Sequence, residues 1–299
     1  MAKAKVGVIG LGNMGRGIAT NLAKAGYSTV VWDVFPDSLK RFKKMANVSI
    51  AEPGDMAAQC GLIYLVVPAS PEIDALLKGK QGILANAKKN LVLFDLTTSD
   101  PVYTKKLAKK SIKKGVEYLD AGMSGGAPGA DAGKLTLMVG GNKKAYTRTK
   151  QFSNAISEKV FFVGPSGAGH TLKLVHNMTC HANFVTLCQA GKMAEKSGIS
   201  LADMIDVFNS ANARSFITQE RFPRHILSKK WDARSRVYNL HKDLSMAVTL
   251  GGKLKTDVSM GQGTLDFLKS AMASGMSEMD FSLLYRDFDK IMKKKKRKP

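Results

Sequence analysis

Residues Lys5 to Asp33 read KVGVIGLGNMGRGIATNLAKAGYSTVVWD, and this stretch decides the fold class. Lys5 to Ile9 is a short apolar run suited to a buried strand. Gly10, Gly12 and Gly15 follow as GxGxxG. Ile18, Leu22 and Ala25 then recur at helical spacing, Gly26 ends the helix, and Ser28 to Trp32 is a second strand. Asp33 closes that strand, 18 residues after Gly15. The first glycine permits a tight turn, the second lets backbone approach a pyrophosphate, and the third lets helix pack on strand. Exposed N–H groups at the helix start then hold the phosphates. Gly10, Leu11, Gly12, Asn13, Met14 and Gly15 are therefore the expected dinucleotide cradle. A carboxylate at Asp33 can accept a hydrogen bond from a ribose 2′-OH and repels a 2′-phosphate, which favours NAD over NADP. Lys40 and Arg41 lie nearby and soften that preference.

The alternation of strand and helix continues. Apolar strands are expected at Leu62–Val67, Leu91–Leu96, Val116–Leu119 and Leu135–Val139. The second of these ends in Thr97-Thr98-Ser99-Asp100-Pro101, where Ser99 or Asp100 can cap a helix that Pro101 begins. In open α/β sheets, ligands bind beyond the carboxyl ends of strands. Val67, Pro68, Thr98 and the run from Asp120 to Gly133 are thus candidates for lining a site. Within that run, Ser124-Gly125-Gly126 can turn backbone N–H groups toward a carboxylate.

Residues 164–198 read GPSGAGHTLKLVHNMTCHANFVTLCQAGKMAEKSG. A Gly-rich turn opens what the pattern predicts to be one long helix from Thr171 to Ser197. Leu172, Val175, Phe184, Leu187, Met193 and Ala194 supply its apolar spacing. Lys173 and Asn177 are four apart and so share a face. A long helix following a complete α/β domain is the expected strut to a second domain. The remainder reads as helical, with a helix at Leu201–Asn209, a polar loop at Ser210–Ser215 that offers Arg214 to an anion, and Asp280-Phe281-Ser282 as a cap. The resulting architecture is an α/β Rossmann N-terminal domain (residues 1–163) and an all-α C-terminal domain (164–292), joined by a long interdomain helix and ending in a basic tail (293–299).

Composition bounds the function. A length of 299 residues with 44% hydrophobic content suits two soluble domains. No apolar run is long enough to span a membrane, and the N-terminus enters a strand directly, without the apolar core of a signal peptide. Cys60, Cys180 and Cys188 show neither metal nor redox spacing and read as buried, reduced thiols of a cytoplasmic protein. His170, His176 and His181 do not stack on one helix face, so no metal is expected. The net charge is +22, from 46 Lys+Arg against 24 Asp+Glu. Removing the six basic residues of Lys293–Lys298 still leaves an excess of 16, so the charge is spread over the surface. Such a field attracts anionic substrates and cofactors. A dinucleotide-binding nucleic-acid partner is the alternative from another class, disfavoured because no aromatic residues interleave the tail.

The chain resembles the β-hydroxyacid dehydrogenases, the family of 3-hydroxyisobutyrate and 6-phosphogluconate dehydrogenases. The resemblance runs through GVIGLGNMGRGIATNLAKAG, WDVFPD, DLTTSDP, SGGAPGADAGKLTLMVGG, GAGHTLKLVHN and His241-Lys242-Asp243-Leu244, in order and over nearly the whole chain. It implies Lys173 as the catalytic lysine, with Ser124, Gly125, Gly126 and Asn177 on the substrate. It also implies Thr98 beside the nicotinamide and Lys242 facing the cofactor. Homodimers or homotetramers built through the helical domain are implied as well.

Some positions depart from the pattern. Gly122-Met123 stands where 3-hydroxyisobutyrate dehydrogenases have Pro-Val, and His176 stands where they have Asn. Both changes resemble the 6-phosphogluconate branch. That branch, however, has a catalytic Glu seven residues after the lysine, where this chain has Cys180. Glu72 replaces an Asn of relatives, so no cofactor contact is carried to it.

Oxidising an alcohol by hydride transfer needs a base for the hydroxyl proton, while the cofactor carries the hydride. Lysine titrates near 10.4 in water, so burial beside Leu172 and Val175, and a second cation such as Lys242, would have to lower it. The expected function is an NAD-dependent dehydrogenase of a small β-hydroxy acid such as 3-hydroxyisobutyrate or L-serine, or reduction of a short semialdehyde. A sugar-acid dehydrogenase is the alternative that His176 and Met123 raise.

Overall fold

The computed structural model describes residues 4–296. The chain divides into two compact units between Lys173 and Leu174.

The first unit is built on an eight-stranded sheet in the order β3-β2-β1-β4-β5-β6-β7-β8. Its strands are β1 Lys5–Ile9, β2 Ser28–Trp32, β3 Val48–Ile50, β4 Leu62–Leu65, β5 Val92–Asp95, β6 Glu117–Ser124, β7 Leu135–Gly140 and β8 Ser157–Gly164. All neighbours are parallel except β6 and β7, which run antiparallel. β1 lies between β2 and β4, so the chain reverses its winding there. That switch point is where an open α/β sheet leaves a crevice. One apolar layer gathers Val6, Val8, Ile18, Leu22 and Phe94 on one face of the sheet, and another gathers Ile9, Val30, Ile63 and Leu93 on the other. Strands buried on both faces explain the unbroken apolar runs in the sequence.

Two strands escaped the sequence reading. β3 has three residues, Val48–Ile50, and its side chains are largely exposed. β8 carries Glu158 and Lys159 and reads as a polar segment. β4 is shorter than expected, ending at Leu65. β6 is longer, because the Ala121–Ser124 segment stays paired with β7. Asp100 is the cap its sequence suggests: its Oδ1 accepts from Val102 N at 2.8 Å, with Pro101 opening the helix.

The second unit is helical. Its core interlocks Phe184, Phe222, Phe281 and Tyr285, with ring centroids 5.0–6.0 Å apart. One helix spans Val237–Lys253, and a π-helical segment, Ile217–Leu227, holds Pro223 within it. A proline supplies no N–H, so it leaves the regular i→i−4 ladder incomplete.

The long helix runs Ala168–Lys196. Its buried stripe is His170, Lys173, Leu174, Asn177, Phe184, Leu187 and Cys188. Leu172, Val175 and Met193 were expected in the core, but they are 38%, 46% and 69% exposed. At 100° per residue they fall on the opposite side of the helix from that stripe. The first half of the stripe is polar and the second half apolar, and this change hid the buried face from an apolar count.

Cys60 and Cys188 are buried, and burial pushes the Cys60 thiol up to about 12. Cys180 is only half-buried, contrary to expectation. Helix Phe288–Lys296 takes in Lys293–Lys296, the start of the basic run. Buried Ile291 anchors that helix. Arg297 and Lys298 lie outside the described residues.

Candidate active site

The cradle at the end of β1 is shaped by what a side chain would strike. Gly10 has φ 91°, its N–H donates to Trp32 O at 2.9 Å, and a Cβ there would run into the Val66 carbonyl. A Cβ at Gly15 would overlap the Gly10 carbonyl. Gly12, in contrast, has nothing within 4 Å, and Asn13 beside it is exposed. The outer glycines thus serve packing, and the middle one faces open space. The helix Gly15–Lys24 begins behind Met14 with no side-chain cap. Its first N–H groups are left for an anion, which fits the pyrophosphate of a dinucleotide.

Asp33 performs a task that the motif alone does not reveal. Its Oδ2 accepts from Leu11 N at 2.6 Å and its Oδ1 from Phe35 N at 2.8 Å. The carboxylate therefore pins the cradle itself. Each oxygen keeps a second lone pair for a ribose hydroxyl. Asp33→Ser is expected to raise the KM for NAD by about 10- to 100-fold, the cost of losing charge-assisted hydrogen bonds. The ratio of NADP to NAD turnover should rise as well. Initial rates against each cofactor check this, and an unchanged NAD KM would remove Asp33 from the cofactor site.

Residues alternate across a strand, so Asp120, Gly122 and Ser124 share one face of β6. The long helix begins on that face. Asp120 is fully buried, its Oδ1 accepting from Gly167 N at 2.6 Å and its Oδ2 from His170 N at 3.0 Å. This carboxylate satisfies N–H groups that a helix start leaves unpaired and complements the helix dipole. Gly169 lets the helix settle on the sheet, because a Cβ there would collide with the backbone oxygens of Met138 and Asp120. Lys173 follows one turn later. A Cβ at Gly122 would strike Lys173 Cβ and come 3.0 Å from its Cγ. Four helical residues advance about 6 Å and two strand residues about 6.6 Å, so helix and strand stay in step. The result is a lysine only 9% exposed, with its stem laid on Gly122 and Ser124 next along the same strand face.

The burial of Lys173 therefore comes from β6 and not from Leu172 and Val175, which correct the sequence expectation by facing outward. Gly122→Ala is expected to cut kcat about 100-fold, since an ångström of displacement in a reacting group can cost that much. NAD affinity should hold. Steady-state rates together with cofactor titration check this, and a kcat within threefold of the parent would show that the close approach does not matter.

Ser124 and Gly126 are half-buried and Gly125 is exposed; the two glycines take φ 118° and 60°, a left-handed turn. Val67, Pro68 and Thr98 lie just past the carboxyl ends of β4 and β5. The Thr98 loop is shaped by Asp95, whose Oδ1 accepts from Thr97 N at 2.9 Å and whose Oδ2 accepts from Tyr118 OH at 2.8 Å. Burial lifts the Asp95 carboxyl above the usual range, against the opposing field of His170. His170 Nδ1 stands 2.8 Å from Thr104 Oγ1, and its Nε2 3.3 Å from the Asp95 carbonyl.

In the second unit, Asn177 is 7% exposed and its Nδ2 donates to Asp243 Oδ2 at 2.8 Å. His176 Nδ1 lies 3.0 Å from Asn177 Oδ1. Lys242 Nζ lies 3.5 Å from Asp243 Oδ1. Asp243 thus links the Asn177 and Lys242 of the sequence reading and orients the carboxamide. Arg214 is exposed beyond the end of the helix Leu201–Ser210. Sequence reasoning did not single out Asp120, Gly122 or Asp243. Their signal was present in the spacing Asp120-x-Gly122-x-Ser124 and in the doublet Lys242-Asp243.

Residues 5–164 match the family model described as the NAD binding domain of 6-phosphogluconate dehydrogenase. Residues 167–288 match the one described as NAD-binding of NADP-dependent 3-hydroxyisobutyrate dehydrogenase. The chain is 30% identical to the mitochondrial 3-hydroxyisobutyrate dehydrogenase of Rattus norvegicus over 291 residues, which is 95% of this chain and 87% of the relative. It is 26% identical to a 2-(hydroxymethyl)glutarate dehydrogenase of Eubacterium barkeri, covering 96% of this chain and 95% of that one. A solved 3-hydroxyisobutyrate dehydrogenase from Mycobacterium tuberculosis with L-serine superposes with a TM-score of 0.87 at 22% identity, over 96% and 99% of the two chains.

Proposed function

We propose roles for individual residues from one premise: this chain belongs to the β-hydroxyacid dehydrogenase family, whose members match it along nearly its whole length. It is an oxidoreductase that transfers a hydride between NAD and a small β-hydroxy acid or its semialdehyde. The nicotinamide, when bound, accepts or returns the hydride. Lys173 takes the proton of the substrate hydroxyl during oxidation and returns it during reduction. Ser124, Gly125 and Gly126 hold the substrate carboxylate through the hydroxyl and the turned N–H groups. Asn177, oriented by Asp243, binds the substrate as well. Gly10 to Gly15 and Asp33 hold the dinucleotide, with Val67, Pro68 and Thr98 beyond β4 and β5, and Lys242 on the cofactor.

The observation that carries this reading is Lys173 itself. A lysine stem laid on a glycine, one turn after a helix start held by a buried carboxylate, is an expensive arrangement to maintain for a surface charge.

A spectrophotometric screen tests the reading. NAD or NADP is offered with 3-hydroxyisobutyrate, L-serine, short semialdehydes and sugar acids, and reduced nicotinamide is followed by absorbance. NAD-dependent turnover of a small β-hydroxy acid is expected. Turnover of sugar acids alone would overturn the substrate class. The same reading makes the protein a cytoplasmic homodimer or homotetramer without a nucleic-acid partner. Light scattering of the purified chain tests the assembly, and a monomer would contradict it.

A further inference from the structure

His170 lies one turn before Lys173 on the long helix and is fully buried. Its backbone N–H donates to Asp120 Oδ2, but its ring has other partners. Nδ1 stands 2.8 Å from Thr104 Oγ1, and Nε2 stands 3.3 Å from the Asp95 carbonyl oxygen. The Asp95 carboxylate is 3.9 Å from Nε2, beyond hydrogen-bond reach, and its oxygens accept from Thr97 N and Tyr118 OH. A carbonyl only accepts, so Nε2 carries the proton that faces Asp95. In the neutral ring, Nδ1 then accepts from the Thr104 hydroxyl. A buried imidazole is costly unless its nitrogens are bonded, and here each has a partner.

The two partners lie at opposite ends of one short loop. Asp95 closes β5, and Leu96 to Asp100 follow before Pro101 opens the helix Pro101–Ile112. Thr104 stands one turn into that helix, and its Oγ1 is also 3.1 Å from the Asp100 carbonyl. The ring therefore spans the entrance and the exit of the loop. Within the loop, Leu96, Thr97 and Ser99 are buried and Thr98 is half-buried. Ser99 Oγ has no hydrogen-bond partner among the described residues, so that hydroxyl does not help to hold the loop. All of these residues, Lys173 included, belong to the first compact unit.

We propose that His170 is a positioning residue, whose ring ties both ends of the Thr98 loop to the helix turn that carries Lys173. His170 and Lys173 are three residues apart, about 60° of arc and about 4.5 Å of rise on one helix face. A loop tied to the ring is therefore tied to the lysine. The inference rests on the reading of Thr98 as a neighbour of the nicotinamide and of Lys173 as the base. In the oxidation, the hydride leaves the carbon and the proton leaves the oxygen of one alcohol group. Loop and base must then keep register to within about an ångström.

The full-length protein is compared with His170→Phe, His170→Gln, Thr104→Val and Leu107→Ala. Phenylalanine fills the place of the ring without either nitrogen. Glutamine can still donate to the Asp95 carbonyl, and Thr104→Val removes the other end of the tie. Leu107 is buried in the same helix and serves as a packing control. His170→Phe is expected to lower kcat about 30- to 100-fold with little change in KM. The isotope effect on kcat with substrate deuterated at the carbinol carbon should rise, as hydride transfer becomes the slow step. The Kd for NAD should hold, because Gly10 to Gly15 and Asp33 are untouched. His170→Gln and Thr104→Val should each lose about 3- to 10-fold in kcat, the cost of one hydrogen bond. Leu107→Ala should lower Tm and keep kcat. The emission of bound NADH is a readout without turnover: it should move toward that of free NADH in His170→Phe and Thr104→Val, and not in Leu107→Ala.

A kcat and isotope effect within about twofold of the parent in His170→Phe would overturn the inference and leave the reaction assignment standing. So would equal kcat losses in Leu107→Ala, or unchanged NADH emission in both His170→Phe and Thr104→Val. If His170→Phe does not fold, His170→Gln and Thr104→Val decide by the same criteria. If no hydroxy acid turns over, yet the emission moves in the His170 and Thr104 variants alone, the reaction assignment fails and the positioning role stands. A parent protein that binds no NADH would overturn both.

Discussion

Lys173→Met is expected to lower kcat about 1,000-fold or more while the dissociation constant for NAD stays within twofold. General acid–base catalysis by a placed side chain contributes about 10²- to 10⁴-fold, and methionine removes that proton carrier while keeping an unbranched stem on Gly122. Lys173→Ala should lose as much activity, but it would also open space where the Lys173 stem meets Gly122. Comparing the two separates chemistry from packing. The pH dependence is a second readout. The activity lost by Lys173→Met should include the limb of the kcat profile that reports the base in the enzyme–substrate complex, so the residual rate should be flat across that limb. A Met variant that retains more than a tenth of the parental kcat, with its pH profile intact, would remove Lys173 from the chemistry.

Asp120→Ala is expected to be the most destabilising single change in the first unit. The Asp120 carboxylate is fully buried and accepts two N–H groups at the start of the long helix. Truncation removes the carboxylate acceptor of both donors, at about 1–3 kcal/mol each. The favourable interaction of a carboxylate with the helix start, about 0.3–1 kcal/mol or somewhat more when buried, goes with it. A combined loss of about 3–5 kcal/mol should appear as a fall of roughly 10 °C in Tm for a unit of this size. The same change frees the helix start from β6, so kcat should fall even at temperatures where the variant stays folded. Asp120→Asn keeps one acceptor oxygen but points an N–H at the other donor, so it should recover only part of the stability. Calorimetry with parallel rate measurements decides the matter. A Tm within 2 °C of the parent in Asp120→Ala would mean that the cap is dispensable.

The fold was readable because its strands are short, apolar and followed by punctuation that only a few structures use. Gly10, Gly12 and Gly15 after a strand, and Asp100 before Pro101, each announce a specific local geometry. β3 and β8 were not readable, since edge and near-edge strands bury little and need no apolar run. The site was half readable. Lys173 and Asn177 stood out through family likeness and their shared helix face. What holds them lies far away in sequence: Asp120 and Gly122 for Lys173, Asp243 for Asn177. Those pairings depend on tertiary contact: the spacing Asp120-x-Gly122-x-Ser124 and the doublet Lys242-Asp243 mark the residues but not their partners. Leu172 and Val175 misled for a related reason. Apolar spacing points to the core only when the buried face is apolar, and over this half of the helix the buried face is His170, Lys173 and Asn177.

The way the long helix is clamped to β6 has a consequence for chain length. From Gly167 and His170, tied to Asp120, to Lys173, resting on Gly122, the helix must count a fixed number of residues. One inserted or deleted residue here would turn everything downstream by about 100°. An insertion would bring Leu172 to the place of Lys173. Length changes should therefore be excluded between Gly167 and Asn177, yet tolerated at the exposed turn after Lys196, where Gly198 takes φ 82° and a side chain there would meet nothing within 4 Å.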